Sequence, residues 1–339
     1  MLSNRAGLSV VLLLLVCCGC GGMRAAGPAG TSLVCRQADR DSGLDDRRQA
    51  AAVCGLKWLL DSREVIPPDY GLMLYRQLYR AVADERLAAE LLAAIREKEV
   101  LRQPAVTDID KADPRYRNWF VLRGFVEELI RCKCAGEPYL QGAAQVLDLL
   151  RAYWSEIFPA SMILSQKLVG AYLLEQIGAV NKNFYEVQVA ELRAQRPCDG
   201  PVMEADCYYH LYGLTHIVFT AAQYYGRYPD PAGYQVEIAQ MRRAVDAYFG
   251  AAQLSGQMLD IAAEALICYK LLRVPLDEPA EALVHRILER QNSDGSWGAG
   301  EQFTSARVHH TFVATMAMLD FAQPFRGPGI HCDYSRLAR

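Results

Sequence analysis

From about residue 45 onward, apolar residues recur every three to four positions with polar residues between them. That is the period of an α-helix burying one face. Alternating runs rich in Val, Ile or Thr, the mark of a half-buried strand, are almost absent. The pattern predicts twelve helices, over residues 46–61, 68–80, 84–98, 116–131, 140–156, 161–180, 182–195, 207–226, 235–249, 258–273, 279–291 and 308–322. Breakers such as PPDYG, KADPRYRN, RPCDGP, YPDPAG and RVPLDEP separate them.

Every second helix is unusually apolar, as in LVGAYLLEQIGAV, LTHIVFTAAQYY and LDIAAEALICYKLL. Such a helix is buried on most sides. The alternate segments, such as AEALVHRILERQ, are amphipathic and charged. The apolar set has midpoints near 74, 124, 170, 216, 265 and 315, a step of about 46–50 residues. A repeat of that length predicts stacked helical hairpins. Six inner and six outer helices make an all-α (α/α)6 toroid with parallel inner helices. The longer connections, 99–115, 196–206, 250–257 and 292–307, each precede an inner helix. Long loops carry function more often than short ones, so the functional mouth is expected at the N-terminal ends of the inner helices.

Polar residues within the apolar helices are the candidate chemistry. His216, Asp260, Glu264 and His310 lie on the last three inner helices, about one hairpin apart. Asp260 and Glu264 share a helix face. Carboxylates among apolar neighbours are costly unless paired, hydrated or ligand-bound. The four are candidate catalytic residues for acid–base work. His216, Asp260 and His310 are also a candidate metal set, with ligand types that suit zinc or another divalent ion. The opposing reading makes Asp260 a dipole-complementing first-turn carboxylate, Glu264 the partner of an arginine, and the histidines satisfied core residues. His309 faces about 100° from His310, and the repeat register favours His310. His210 reads as a rim residue, and His285 and His331 as surface. Tyr208, Tyr209, Tyr212, Trp297 and Phe303 crowd the expected mouth.

Composition narrows the function classes. The 339 residues carry 36 basic and 39 acidic side chains, a net charge of -3. That balance gives no support for nucleic-acid binding. Arg5 followed by the short apolar run LSVVLLLLVCC reads as a signal peptide over 1–19. Residues 20–44 read as a tether, 45–325 as the toroid and 326–339 as a C-terminal tail. No P-loop, dinucleotide fingerprint, serine elbow or HExxH is present.

The segment VCCGCGG resembles a bacterial lipoprotein processing site, in which Cys20 after Gly19 would be lipidated and become the mature N-terminus. Cys17 stands where that family usually has leucine. Gly21, in place of an inner-membrane-retaining aspartate, implies a lipid anchor in the outer membrane facing the periplasm. The membrane is then a partner through the N-terminal lipid. Of eleven cysteines, three lie in or at the signal, which leaves eight for an oxidising compartment. Cys198 and Cys207 flank a Pro/Gly loop and are the expected disulfide. Cys132 and Cys134 are not expected to bridge each other.

ILERQNSDGSWG followed by HHTFVATMAML resembles the Gln-Trp repeat of the terpenoid-cyclase and lanthionine-cyclase class of α/α toroids, over residues 283–322. There the tryptophan packs between hairpins. The chain lacks the DxDD acid motif and the Cys-plus-CHG zinc set of those enzymes, so the resemblance implies the fold and not their activities. Tyr212 to His216 also resembles a YxLTH element of bacterial α-helical lipoproteins. Many such toroids act on carbohydrates. The functional expectation is an envelope lipoprotein with a polar ligand-handling cavity, as an enzyme on a saccharide or other envelope polymer. The alternative is a non-catalytic binding or assembly scaffold.

Overall fold

The computed structural model describes residues 42–102, 108–195, 204–249, 254, 256–299, 303–334 and 337. Twelve α-helices run through them: α1 Leu44–Asp61, α2 Pro68–Ala81, α3 Glu85–Leu101, α4 Trp119–Ala135, α5 Leu140–Ile157, α6 Leu164–Gln176, α7 Phe184–Ala194, α8 Ala205–Ala221, α9 Gln235–Ala244, α10 Gly256–Leu271, α11 Glu278–Glu289 and α12 Ser305–Met318. No strand forms among the described residues, where one isolated bridge joins Val82 to Phe321. The fold is all-α. The proposed signal, Cys20 and most of the tether lie outside the described residues. No described helix is long and apolar enough to cross a membrane.

Side chains set the helix starts. Asp84, Asn118, Asp277 and Thr304 each accept a hydrogen bond from a first-turn N–H. That satisfies donors with no partner inside the helix. The Thr304 cap starts α12 three residues earlier than the periodicity alone predicts. α8 stops five residues short of the expected end. Gln223, Tyr224 and Tyr225 take positive φ there (50°, 47° and 70°). Bulky residues seldom adopt that conformation. The turn is held by the Tyr224 N–H on the Phe219 carbonyl at 2.8 Å and by Arg80 on the Tyr225 carbonyl at 2.8 Å.

The apolar helices pack as neighbours in chain order: α4 on α6, α6 on α8, α8 on α10, α10 on α12, and α12 on α2. The amphipathic helices pair with them, with α3 on α2, α7 on α6 and α1 on α12. Two apolar cores result. One joins α1–α3 to α8–α12, and the other is built by α4, α5 and the later residues of α6. α6 serves both, with Leu168 in the first and Leu173 and Leu174 in the second.

The segment expected as a tail is packed into the fold. Tyr334 is fully buried, and its N–H donates to Glu99 Oε1 at 3.0 Å. Arg80 donates to the Pro328 carbonyl and Arg76 to that of Ile330. Cys332 forms a disulfide with Cys134 on α4, across 198 residues. His331 is half-buried and not a surface residue. The segment therefore ties α2 and α3 to α4. Cys207 is also disulfide-bonded, while Cys198 lies outside the described residues. Cys132 and Cys268 are buried free thiols.

The DGSW loop holds α1, α11 and α12 together. Asp294 accepts from the Ser296 N–H at 3.1 Å, from Trp58 Nε1 at 3.1 Å and from Arg307 at 2.6 Å. Gly295 and Gly298 take φ of +90° and +110°, which glycine adopts without strain. Trp297 is fully buried and donates through Nε1 to the Ile287 carbonyl at 2.8 Å. Its ring packs on Gly55 of α1, where an added Cβ would stand 2.6 Å from Trp297 and closer still to Thr315. Gly55→Ala should therefore destabilise the fold by about 1–3 kcal/mol through overpacking, outweighing alanine's better helix propensity. Chemical denaturation tests this, and an unchanged or raised stability would show that α1 moves away at little cost.

Candidate functional site

Three of the apolar helices, α8, α10 and α12, are less buried near their N-terminal ends than further along. On α8, Tyr208, Tyr209 and Tyr212 are half-buried, whereas Gly213 to Thr220 are all buried. On α12, His309 and His310 are half-buried and Thr311 to Leu319 buried. On α10, Met258 is half-buried and Leu259 to Tyr269 buried. Asp260 and Glu264 sit just inside that boundary, 7% and 3% exposed.

α10 and α12 are tied at both ends, which makes them parallel. Near their starts, His309 Nε2 lies 3.1 Å from Asp260 Oδ1. Near their ends, Lys270 donates to the carbonyls of Met316, Ala317 and Leu319. α8 joins through Thr215, whose Oγ1 is 2.6 Å from Glu264 Oε2. Cys268, one turn below Glu264, donates to the Thr215 carbonyl at 3.6 Å. α2 contributes Tyr70, whose hydroxyl is 3.4 Å from His309 Nδ1.

The histidine that reaches Asp260 is thus His309, not the expected His310. Residues one apart on a helix face about 100° apart, so both cannot meet α10. His310 instead fills the space left by two glycines: a Cβ on Gly256 or Gly298 would come within 3.2 or 3.1 Å of its ring. His216 stands at the edge of the cluster, its Nδ1 3.9 Å from Glu264 Oε2. That nitrogen donates to the Tyr212 carbonyl at 2.9 Å. A ring nitrogen that donates cannot also ligate a metal, so His216 does not offer the donor its place in the candidate metal set requires on this side. His210 is buried and paired with Gln195 at 3.1 Å, not a rim residue. His285 lies on α11, 3.5 Å from Arg47. Trp297 and Phe303 are both buried, Trp297 in the loop staple.

The protonation pattern follows from burial and proximity. Burial works to raise the Asp260 pKa, and His309 beside it overrides this and holds the carboxyl below its ordinary value. Burial likewise opposes the His309 charge, and Asp260 outweighs it, raising the imidazole to about 9. Glu264 is pushed well up by burial and by the Asp260 charge. Hydrogen-bond geometry agrees. Thr215 Oγ1 is also 2.9 Å from the Tyr212 carbonyl, which can only accept. One hydroxyl carries one hydrogen. Both contacts are hydrogen bonds together only when Glu264 supplies a proton to Thr215. Tyr208 and Tyr212 are held neutral by burial and by the same carboxylates. On α4, Arg123 pairs with Glu127 at 2.7 Å, with about a third of each side chain open to solvent (33% and 30%).

His216 is depressed to about 4 by burial. The unfolded chain takes up a proton near pH 6.5 that the folded chain refuses. The stability this group contributes is therefore complete above pH 6.5 and is lost as pH falls from 6.5 towards 4. Nitrogen-15 NMR should show a neutral His216 with the proton on Nδ1 at pH 6. A charged ring at that pH would contradict the assignment.

Residues 205–317 match a family described as a domain of unknown function (DUF6895). The match starts with α8 and ends inside α12, so it takes in Thr215, His216, Asp260, Glu264 and His309. No curated protein and no solved structure matches the chain.

Proposed function

We propose that this chain is a cell-envelope lipoprotein, anchored through Cys20, whose helices form an (α/α)6 toroid. Its polar centre binds a saccharide or other envelope polymer and acts on it through Asp260, Glu264 and His309. The observation that carries this reading is the convergence of two buried carboxylates and an imidazole at the point where the inner helices change from open to sealed. Half-buried Tyr208, Tyr209 and Tyr212 stand on the open side. Such rings stack against sugar faces, and the carboxylates meet hydroxyls. The neighbour order of the apolar helices supports the toroid. The scaffold alternative draws on the sealed, apolar C-terminal halves of the same helices.

Glu264→Gln separates the two. Among the described residues no arginine pairs with Glu264; its hydrogen-bond partner is Thr215. A Gln amide still donates to that hydroxyl, so stability should change by less than about 1 kcal/mol. Binding of soluble muropeptides, followed by calorimetry, should be lost. A stability drop of roughly 3–5 kcal/mol, as for a broken buried ion pair, or unchanged muropeptide binding would defeat the proposal.

A further inference from the structure

We infer that Asp260, Glu264 and His309 hold one divalent cation of the zinc class. The inference rests on the polar centre proposed above and gives it a chemical identity. One imidazole nitrogen and two carboxylate oxygens, from α10 and α12, lie within 4.8 Å of one another. Donors bound to zinc at about 2.1 Å in a tetrahedron stand about 3.4 Å apart. Side-chain rotations of about an ångström close that difference.

Three further features point to an ion. First, Asp260 is 7% exposed, and its Oδ1 completes no hydrogen bond. The contact with His309 Nε2 at 3.1 Å is close but off the line of an N–H. A buried oxygen without a partner is rare in native proteins and calls for an explanation; a cation is one. Second, the other nitrogen of His309 faces the Tyr70 hydroxyl at 3.4 Å. A proton on Nδ1 donated to that hydroxyl leaves the Nε2 lone pair directed at the carboxylates. Metal-bound histidines are ordinarily held in this way. Third, Thr215 lies 2.6 Å from Oε2 of Glu264 and so fixes the orientation of that carboxyl group beside Asp260.

The donor types narrow the ion. Two oxygens and one nitrogen without thiolate suit zinc and its first-row neighbours better than calcium, which takes six to eight oxygens. Three protein ligands leave a coordination position for water, as in catalytic zinc sites. Two carboxylates also neutralise a dication, which a buried site requires. The set differs from the one read in the sequence: His309 replaces His310, Glu264 joins, and His216 stands outside because its near nitrogen serves the Tyr212 carbonyl.

The test is calorimetric titration of the chelator-stripped full chain with zinc chloride. We expect one equivalent bound. Asp260→Asn and His309→Gln should each weaken binding by more than the roughly 10- to 100-fold that losing an outer-shell partner costs. Tyr70→Phe should weaken it by about 10-fold. His310→Gln should bind as the wild type does. Circular dichroism checks that each variant folds. If the ligand variants do not fold, the nitrogen-15 resonance of His309 in the wild type decides: zinc must shift Nε2. No zinc binding, an unshifted Nε2, or undiminished affinity in folded Asp260→Asn would overturn the inference. Zinc binding without muropeptide binding would leave this site standing and remove the polymer reading. Muropeptide binding without zinc would do the reverse.

Discussion

A carboxylate taken out of water must find an opposite charge or a donor, and Asp260 finds His309 at 3.1 Å on the neighbouring helix. Asp260 is poorly tolerated alone in that position, because an unpaired buried charge costs several kcal/mol, whereas His309 is partly open to solvent. The pair therefore constrains the register of α10 against α12. Glu264, one turn further along, needs Thr215, and this sets α8 against α10. Four polar side chains on three apolar helices thus meet at one height. The same contacts create the cluster that a ligand would meet.

The loop before α12 decides which histidine takes part. Trp297 buried on Gly55, Asp294 bound to Trp58 and Arg307, and the Thr304 cap together determine where α12 begins and how it is rotated. With that rotation His309 faces α10, and His310 lies against the backbone of Gly256 and Gly298. Gly298 thus has two tasks, allowing the turn and leaving room for an imidazole, and Gly256 has the second alone. A connection that reads as structural punctuation is also what positions the site.

The helices were legible because periodicity is a local signal, and almost every apolar run became a helix near its expected bounds. Asp260 and Glu264 were legible because charge is conspicuous in an apolar helix. The choice between His309 and His310 was not: a rotation of 100° decides it, and that rotation depends on a cap and a loop packed against α1. The Cys134–Cys332 bridge was not legible either, since 198 residues separate its ends and no local pattern pairs them. For the same reason residues 326–334 read as a tail. Their polar, Gly/Pro-rich sequence carries no helical period, and their burial comes from Arg76, Arg80 and Glu99 on distant helices.

The central claim is that Asp260 and His309 are placed for a ligand and not for stability. Buried ionic pairs retained for function cost stability, and uncharged isosteres of both partners relieve that cost. The most direct measurement is the unfolding free energy of the double variant Asp260→Asn/His309→Gln against the wild type, both free of metal. The account predicts a stability equal to the wild type or higher. A loss of more than about 3 kcal/mol would mean that the pair is part of the scaffold, and would contradict it.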